Sequence, residues 1–197
     1  ILLLAGNHDS GERLAFGGRL LARHGLHVAG VPGNPDPVVT LADPHGPVDF
    51  VLMPYAVPEA VRDVLDAPDL RGHHMATARR IDTVLPTLTA SRRMLVGHAF
   101  VVGGAESASE RALAVSGGTV PVELYRSFHY TAMGHLHQPQ TLAGTVRYCG
   151  SLLEYSFGEA EQGRSVSLVE LGADGAVRIE PVPLTPRHAV RRLRGTL

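Results

Sequence analysis

Short apolar runs alternate along this chain with segments of helical period, the pattern of an α/β layered fold. Strands are predicted at Leu2–Ala5, His27–Val31, Pro37–Leu41, Asp49–Met53, Met94–Val96, Tyr130–Met133, Thr145–Tyr148, Ser165–Leu171 and Val177–Pro181. Ser10 is placed to cap a helix carrying Leu14, Gly17, Gly18 and Leu21 on one stripe, and Gly25 ends it. Pro58 opens a second helix with Val61, Val64 and Leu65 at core spacing. A third helical segment covers roughly His74–Ala90, with Pro86 as its kink or interruption. Ala173-Asp174-Gly175 reads as the turn of a hairpin over Val166–Pro183.

Composition narrows the class without naming it. At 197 residues, 44% hydrophobic and 19% charged, the chain has the make-up of an ordinary globular domain with a substantial core. A net charge of −1 argues against a uniformly basic nucleic-acid coat but leaves local patches open. All 18 basic residues are arginine, which reads as a bias of the source genome. The single cysteine, Cys149, rules out a disulfide framework and a thiolate zinc site, and it reads as a buried strand thiol. With 11 histidines, imidazole and oxygen donors are the route to any metal. No run reaches the roughly 18 apolar residues of a membrane span, and no charged-then-apolar signal segment opens the chain, so the expected location is cytoplasmic. The chain opens inside a strand pattern and stops without a clear structural close. This predicts a piece of a larger protein: residues 1–184 form a domain short of its N-terminal part, and 185–197 begin a C-terminal capping region.

The chemistry gathers at strand ends. Gly6-Asn7-His8-Asp9 follows an apolar run and places an amide, an imidazole and a carboxylate at one tip. Asn7 offers a neutral oxygen to a divalent ion, His8 can stabilise or protonate a leaving oxygen, and Asp9 can orient the His8 ring. The competing reading is a loop in which Asn and Asp supply turn hydrogen bonds. Gly97-His98 repeats the design, and Gly134-His135-Leu136-His137 puts two histidines at alternate positions, where an extended backbone aims both to one side. Each preceding glycine permits a close approach or an unusual turn. Three such units in one chain favour a divalent metal site for phosphoester chemistry.

These blocks resemble the calcineurin-like metallophosphoesterases, whose pattern runs Asp-x-His, Gly-Asp-x-x-Asp, Gly-Asn-His-Asp, Gly-His, Gly-His-x-His. The last three stand here as Gly6–Asp9, Gly97-His98 and Gly134–His137. Ser107-Ala108-Ser109-Glu110-Arg111, Tyr148-Cys149-Gly150-Ser151 and Glu154–Phe157 narrow the likeness to the SbcD type of DNA nuclease, as does Val182–Pro186. The resemblance covers essentially the whole chain and implies an α/β-β/α sandwich, here incomplete at the N-terminus. It also implies Asn7, His98 and His135 as ligands of one cation, His137 as a ligand of the other, and His8 as the catalytic histidine. Two divalent ions, typically manganese, are the implied cofactors. Double-strand 3′–5′ exonuclease and single-strand endonuclease activity with an SbcC-type ATPase, in DNA repair and recombination, is the implied function. Homodimerisation is implied through helices near Ser10–His24 and around Pro58–Ala90. The family's two carboxylate blocks have no counterpart ahead of Gly6–Asp9. One cation is therefore expected to keep His137 alone, and hydrolysis by the chain as it stands is expected to be impaired.

Lesser roles follow. Ser107, Ser109, Glu110 and Arg111 read as braces of a loop or contacts to a phosphate backbone, and Tyr148 and Ser151 as residues fixing the turn behind the metal site. His24, His73, His74 and His129 read as surface or core histidines. Arg79-Arg80, Arg92-Arg93 and Arg191-Arg192-x-Arg194 are possible DNA-phosphate contacts set against solvated faces. Two other functions remain: a phosphodiesterase for small substrates, to which the same ligands would serve, and a non-catalytic scaffold or dimerisation module with a decayed site.

Overall fold

The computed structural model describes residues 1–105, 118–193 and 195. It is an α/β structure, as the alternating pattern predicts. Its centre is a six-stranded sheet built from β3 (Val38–Asp43), β4 (Gly46–Met53), β5 (Arg92–His98), β8 (Tyr130–Gly134), β9 (Gln140–Leu142) and β10 (Val146–Tyr148). The spatial order is β3-β4-β5-β8-β10-β9. The four inner strands are mutually parallel, and β3 and β9 pair antiparallel at the two edges. Parallel strands buried on both faces read as unbroken apolar runs, which is why Phe50–Met53 and Met94–Val96 stand out in the sequence.

Three smaller pairs surround this sheet. Parallel β1 (Leu2–Leu4) and β2 (His27–Ala29) lie against β4 and β5, where the Ala5 carbonyl accepts from Tyr55 N at 2.9 Å. Parallel β6 (Phe100–Val101) and β7 (Thr119–Val120) follow the end of β5. The predicted hairpin is β11 (Arg164–Leu171) with β12 (Val177–Leu184), closed by the Ala173-Asp174-Gly175 turn. It is tied to the sheet where Arg147 Nε donates to Ser167 Oγ at 3.2 Å. β6, β7 and β9 have two or three residues each, too few to show a period.

Two helices match expectation. Pro58 occupies the first turn of α3 (Pro58–Leu65), and Val61 is its buried residue. α4 (Gly72–Val84) gives way to a 3-10 turn at Leu85–Thr87, where Pro86 cannot continue the α-helical ladder. The core lies between α4 and the sheet: Ile81 and Val84 meet Val51, Leu95, Tyr125 and Tyr148. Each such side chain contributes about 1.5–3 kcal/mol by leaving water.

The single helix expected after Ser10 is corrected. Two short ones form, α1 (Gly11–Leu14) and α2 (Gly18–Ala22), because Gly17 takes a φ of 75° and breaks the ladder between them. Ser10 holds the capping position without a side-chain cap, and neither helix buries a residue. Two arginine pairs are also corrected as phosphate-facing clusters. Arg80 is buried and makes a two-pronged bond to Asp36 at 2.7 and 2.8 Å. Arg92 is buried, with Asp43 Oδ2 at 2.9 Å and the Gly46 carbonyl at 2.7 Å. Buried Arg92 and buried Asp49 also explain why β5 and β4 start earlier than their apolar runs. Asp49 accepts from Thr40 Oγ1 and from the backbone N–H groups of Thr89 and Ala90. Among the described residues no helix is long and apolar enough to cross a membrane.

Candidate metal centre

The sequence motifs converge at the C-terminal ends of the parallel strands, the edge where open α/β sheets bind ligands. After β1, buried Ala5 leads into a turn in which Asp9 N donates to the Gly6 carbonyl at 3.2 Å. The Asp9 carboxylate closes that turn by accepting from Gly6 N at 2.7 Å. Asp9 is thus a turn-former, which corrects its expected role of orienting the His8 ring. His8 is exposed, and with half-buried Asn7 it lines a cleft of about 630 Å³.

His98 ends β5 in register with Gly134, the last residue of β8. Glycine is required on both sides of this ring. A Cβ on Gly6 would lie 2.6 Å from His98 Cε1, and one on Gly134 would lie 2.8 Å from His98 Nδ1. Neither could be accommodated unless the imidazole moved. His98 Nε2–H donates to Asn7 Oδ1 at 2.8 Å. Burial, and then the neighbouring His135, push the His98 pKa down to about 4. The ring is therefore neutral at physiological pH, the form a metal requires.

His135 completes the group. Its Nδ1 lies 3.4 Å from Asn7 Oδ1, and its ring meets that of His98 edge-on at 5.3 Å. The unusual backbone falls on His135 itself, with a φ of 109°, rather than on the glycine before it. Non-glycine residues held at such angles cluster at functional sites. Leu136 is buried, so it anchors the loop while His135 and His137 flank it on the cleft side. The expected shared direction of the two histidines holds, although the segment lies beyond the strand.

Asn7 Oδ1, His98 Nε2 and His135 Nδ1 can hold one divalent cation. Octahedral ligands at about 2.1 Å keep adjacent donors about 3.0 Å apart, and the separations here bracket that value. The donors are all neutral, one hard oxygen and two imidazoles, a set suited to first-row divalent metals. Among the described residues no cluster of three or more His, Cys, Asp or Glu side chains could hold a metal, so the convergent set depends on the Asn7 amide. The Asp-x-His form does occur once, as Asp43-Pro44-His45. It is the turn between β3 and β4, at the opposite end of the sheet, and its carboxylate pairs with Arg92.

His137 stands apart from the trio. Its Nδ1 is 3.1 Å from Glu159 Oε1, and the Tyr155 ring lies 5.5 Å from its own. Behind it, Ser151 N donates to the His137 carbonyl at 3.1 Å, and Ser151 Oγ donates to the Leu153 carbonyl at 2.8 Å. Tyr148 is fully buried; its hydroxyl donates to the Ala99 carbonyl at 2.7 Å and accepts from Val101 N at 3.0 Å. It thereby fixes the chain just after His98. Cys149 is corrected: it is half-buried, follows β10 and lines the cleft. Ser107, Ser109, Glu110, Arg111 and Arg194 lie outside the described residues. Glu159 and Arg164 escaped the sequence reading, because a charged residue gives no sign in a pattern that it is buried.

No family model matches the chain. Two curated relatives do, both of them the SbcD component of a nuclease SbcCD. The one from Staphylococcus saprophyticus is 30% identical over 99% of this chain. The one from Staphylococcus epidermidis is 27% identical over the same share. The chain spans about half the length of these relatives, 51% and 52%. The likeness drawn from the histidine blocks and the likeness over the full sequence agree: this is an SbcD-like metallophosphoesterase chain.

Proposed function

We propose that the chain is the catalytic core of a metal-dependent DNA nuclease subunit. The observation that carries this reading is the meeting of Asn7, His98 and His135, from three strand ends, around one point of a broad cleft. Cations bound there supply Lewis acidity toward a phosphoryl oxygen and a strong nucleophile at neutral pH. The chain's own residues do the rest. Asn7, His98 and His135 hold one cation, and His137 contributes to the other. His8, exposed at the cleft's rim, places its imidazole beside the bound phosphodiester and gives a proton to the departing oxygen. Asp9 keeps the Gly6–Asp9 turn closed, so that Asn7 and His8 face the cleft together.

The finer reading follows the relatives' name. Manganese is the proposed metal, linear duplex ends and single-stranded DNA the substrates, and an SbcC-type ATPase the partner, in cytoplasmic DNA repair and recombination. Exposed Phe16 and Leu20, around α1 and α2, support a homodimer contact there. Ser107, Ser109 and Arg111 are assigned to the substrate-facing loop, Tyr148 and Ser151 to support of the metal loops, and residues 185–197 to the approach to a capping region.

The test is Mn²⁺ uptake together with cleavage of linear duplex and circular single-stranded DNA. Uptake with cleavage, even slow cleavage, that His135→Ala abolishes is the expected result. Absence of uptake, or cleavage indifferent to His135→Ala, overturns the reading. Hydrolysis of a small chromogenic phosphodiester with DNA left intact moves the assignment to a small-substrate phosphodiesterase.

A further inference from the structure

The two histidines of the Gly134–His137 block turn their Nδ1 atoms to different neighbours. His135 directs Nδ1 toward Asn7 Oδ1, whereas His137 directs Nδ1 toward Glu159. Glu159 closes a 3-10 turn, Phe157–Glu159, and is 0% exposed. A carboxylate so placed is costly unless paired and hydrogen-bonded. Here Oε2 accepts from Arg164 Nη2 at 2.9 Å and from Tyr155 N at 3.1 Å. Oε1 accepts from Ser156 Oγ at 3.2 Å and meets His137 Nδ1 at 3.1 Å.

Arg164 keeps Glu159 ionised, and an ionised carboxylate can only accept. The bond to His137 therefore needs the imidazole proton on Nδ1, which puts the ring's lone pair on Nε2. The same ion pair also grips the histidine's backbone, because Arg164 Nη1 donates to the His137 carbonyl at 2.9 Å and to Ser151 Oγ at 2.8 Å. Ring and main chain are thus oriented by one buried pair, with the Tyr155 ring beside them. Carboxylates that orient a ligating histidine in this way are a recurring part of metal sites.

We propose that Glu159 is a positioning residue that fixes His137 in the Nδ1–H tautomer and so presents Nε2 as its cation-binding atom. This rests on the metal-site reading above. It adds a residue that acts on the site from behind, through His137, without touching substrate or cation.

The experiment has two readouts. Histidine-selective ¹⁵N NMR of the metal-free protein, with His137 identified by its loss in His137→Gln, reports the tautomer directly. Nδ1–H is expected; a proton on Nε2 overturns the proposal. Titration with Mn²⁺ alone, followed by the EPR signal of the free ion, compares the wild type with Glu159→Gln, which preserves volume but removes the charge. A 10- to 100-fold loss of affinity for the cation that His137 serves is expected. Unchanged affinity in a variant with wild-type melting behaviour overturns the proposal, and shows that Glu159 merely anchors the turn to β11. If Glu159→Gln fails to fold, the wild-type tautomer decides. A wild type with the Nδ1–H tautomer that takes up no Mn²⁺ overturns the metal reading and the cation half of this proposal, leaving the Glu159–His137 bond as a structural contact.

Discussion

Asn7 Oδ1 and His98 Nε2, 91 residues apart in sequence, meet at 2.8 Å across the gap between the end of β1 and the end of β5. Both are atoms that bind cations, and both belong to neutral groups. In Asn7→Ala the oxygen is lost and His98 loses its hydrogen-bond acceptor. Mn²⁺ affinity is expected to fall by more than the roughly 10- to 100-fold that losing a supporting residue costs. Isothermal titration checks this; an unchanged binding curve would remove Asn7 from the ligand set.

Gly6→Ala tests the same meeting point from the backbone side. The added Cβ would press on His98 Cε1 at 2.6 Å, and the ring is the part able to yield. Loss of Mn²⁺ binding at near-native melting temperature is expected, since β1 itself needs no such glycine. A variant that binds Mn²⁺ as the wild type does would show that the ring has room to spare.

What could be read from sequence, and what could not, divides along a physical line. Gly97-His98 and Gly134-His135 announce themselves because a polar residue after an unbroken apolar run marks the end of a buried strand. The parallel register then brings His98 beside Gly134. Arg80, Arg92 and Glu159 gave no such signal. Their burial depends on partners at Asp36, Asp43 and Arg164, and two of these pairings span 44 and 49 residues. Likewise the positive φ of His135 was beyond a rule that assigns strained backbone to glycine. Local pattern reports periodicity; it cannot report which distant charge makes a buried arginine tolerable.

The Arg80–Asp36 pair gives the strongest expectation on stability. Both side chains are almost fully enclosed, and Arg80 Nη1 also holds the Pro54 carbonyl at 2.9 Å. Asp36→Ala leaves a buried guanidinium without its counter-charge, a loss of about 3–5 kcal/mol. For a domain of this size that corresponds to a melting point lower by ~6–20 °C. Thermal unfolding followed by circular dichroism measures it. A shift of under about 2 °C would mean that water or another group reaches Arg80.

Acid sensitivity is expected at the far end of the sheet. The hydrogen bond from Arg92 lowers the Asp43 pKa to about 2 from the ordinary 3.8, against an opposing effect of burial. A folded-state value below the unfolded one stabilises the protein fully above about pH 4. That contribution fades as pH falls toward 2. Urea midpoints of the wild type should therefore exceed those of Asp43→Asn at neutral pH, and the difference should close between about pH 4 and 2. A constant gap across that range would show that the carboxylate's charge contributes nothing through Arg92.

His8 separates chemistry from metal binding. It neighbours the ligand Asn7 yet is itself exposed, and the Asp9 carboxylate beside it is held by Gly6 N. If it serves as the proton donor, His8→Ala should lower DNA cleavage by about 10²–10⁴-fold, the usual worth of a positioned acid or base. Mn²⁺ stoichiometry should remain that of the wild type, because Asn7, His98, His135 and His137 are untouched. Loss of a bound ion in His8→Ala would instead make His8 a ligand. Cleavage and ion content measured on the same preparation decide between the two.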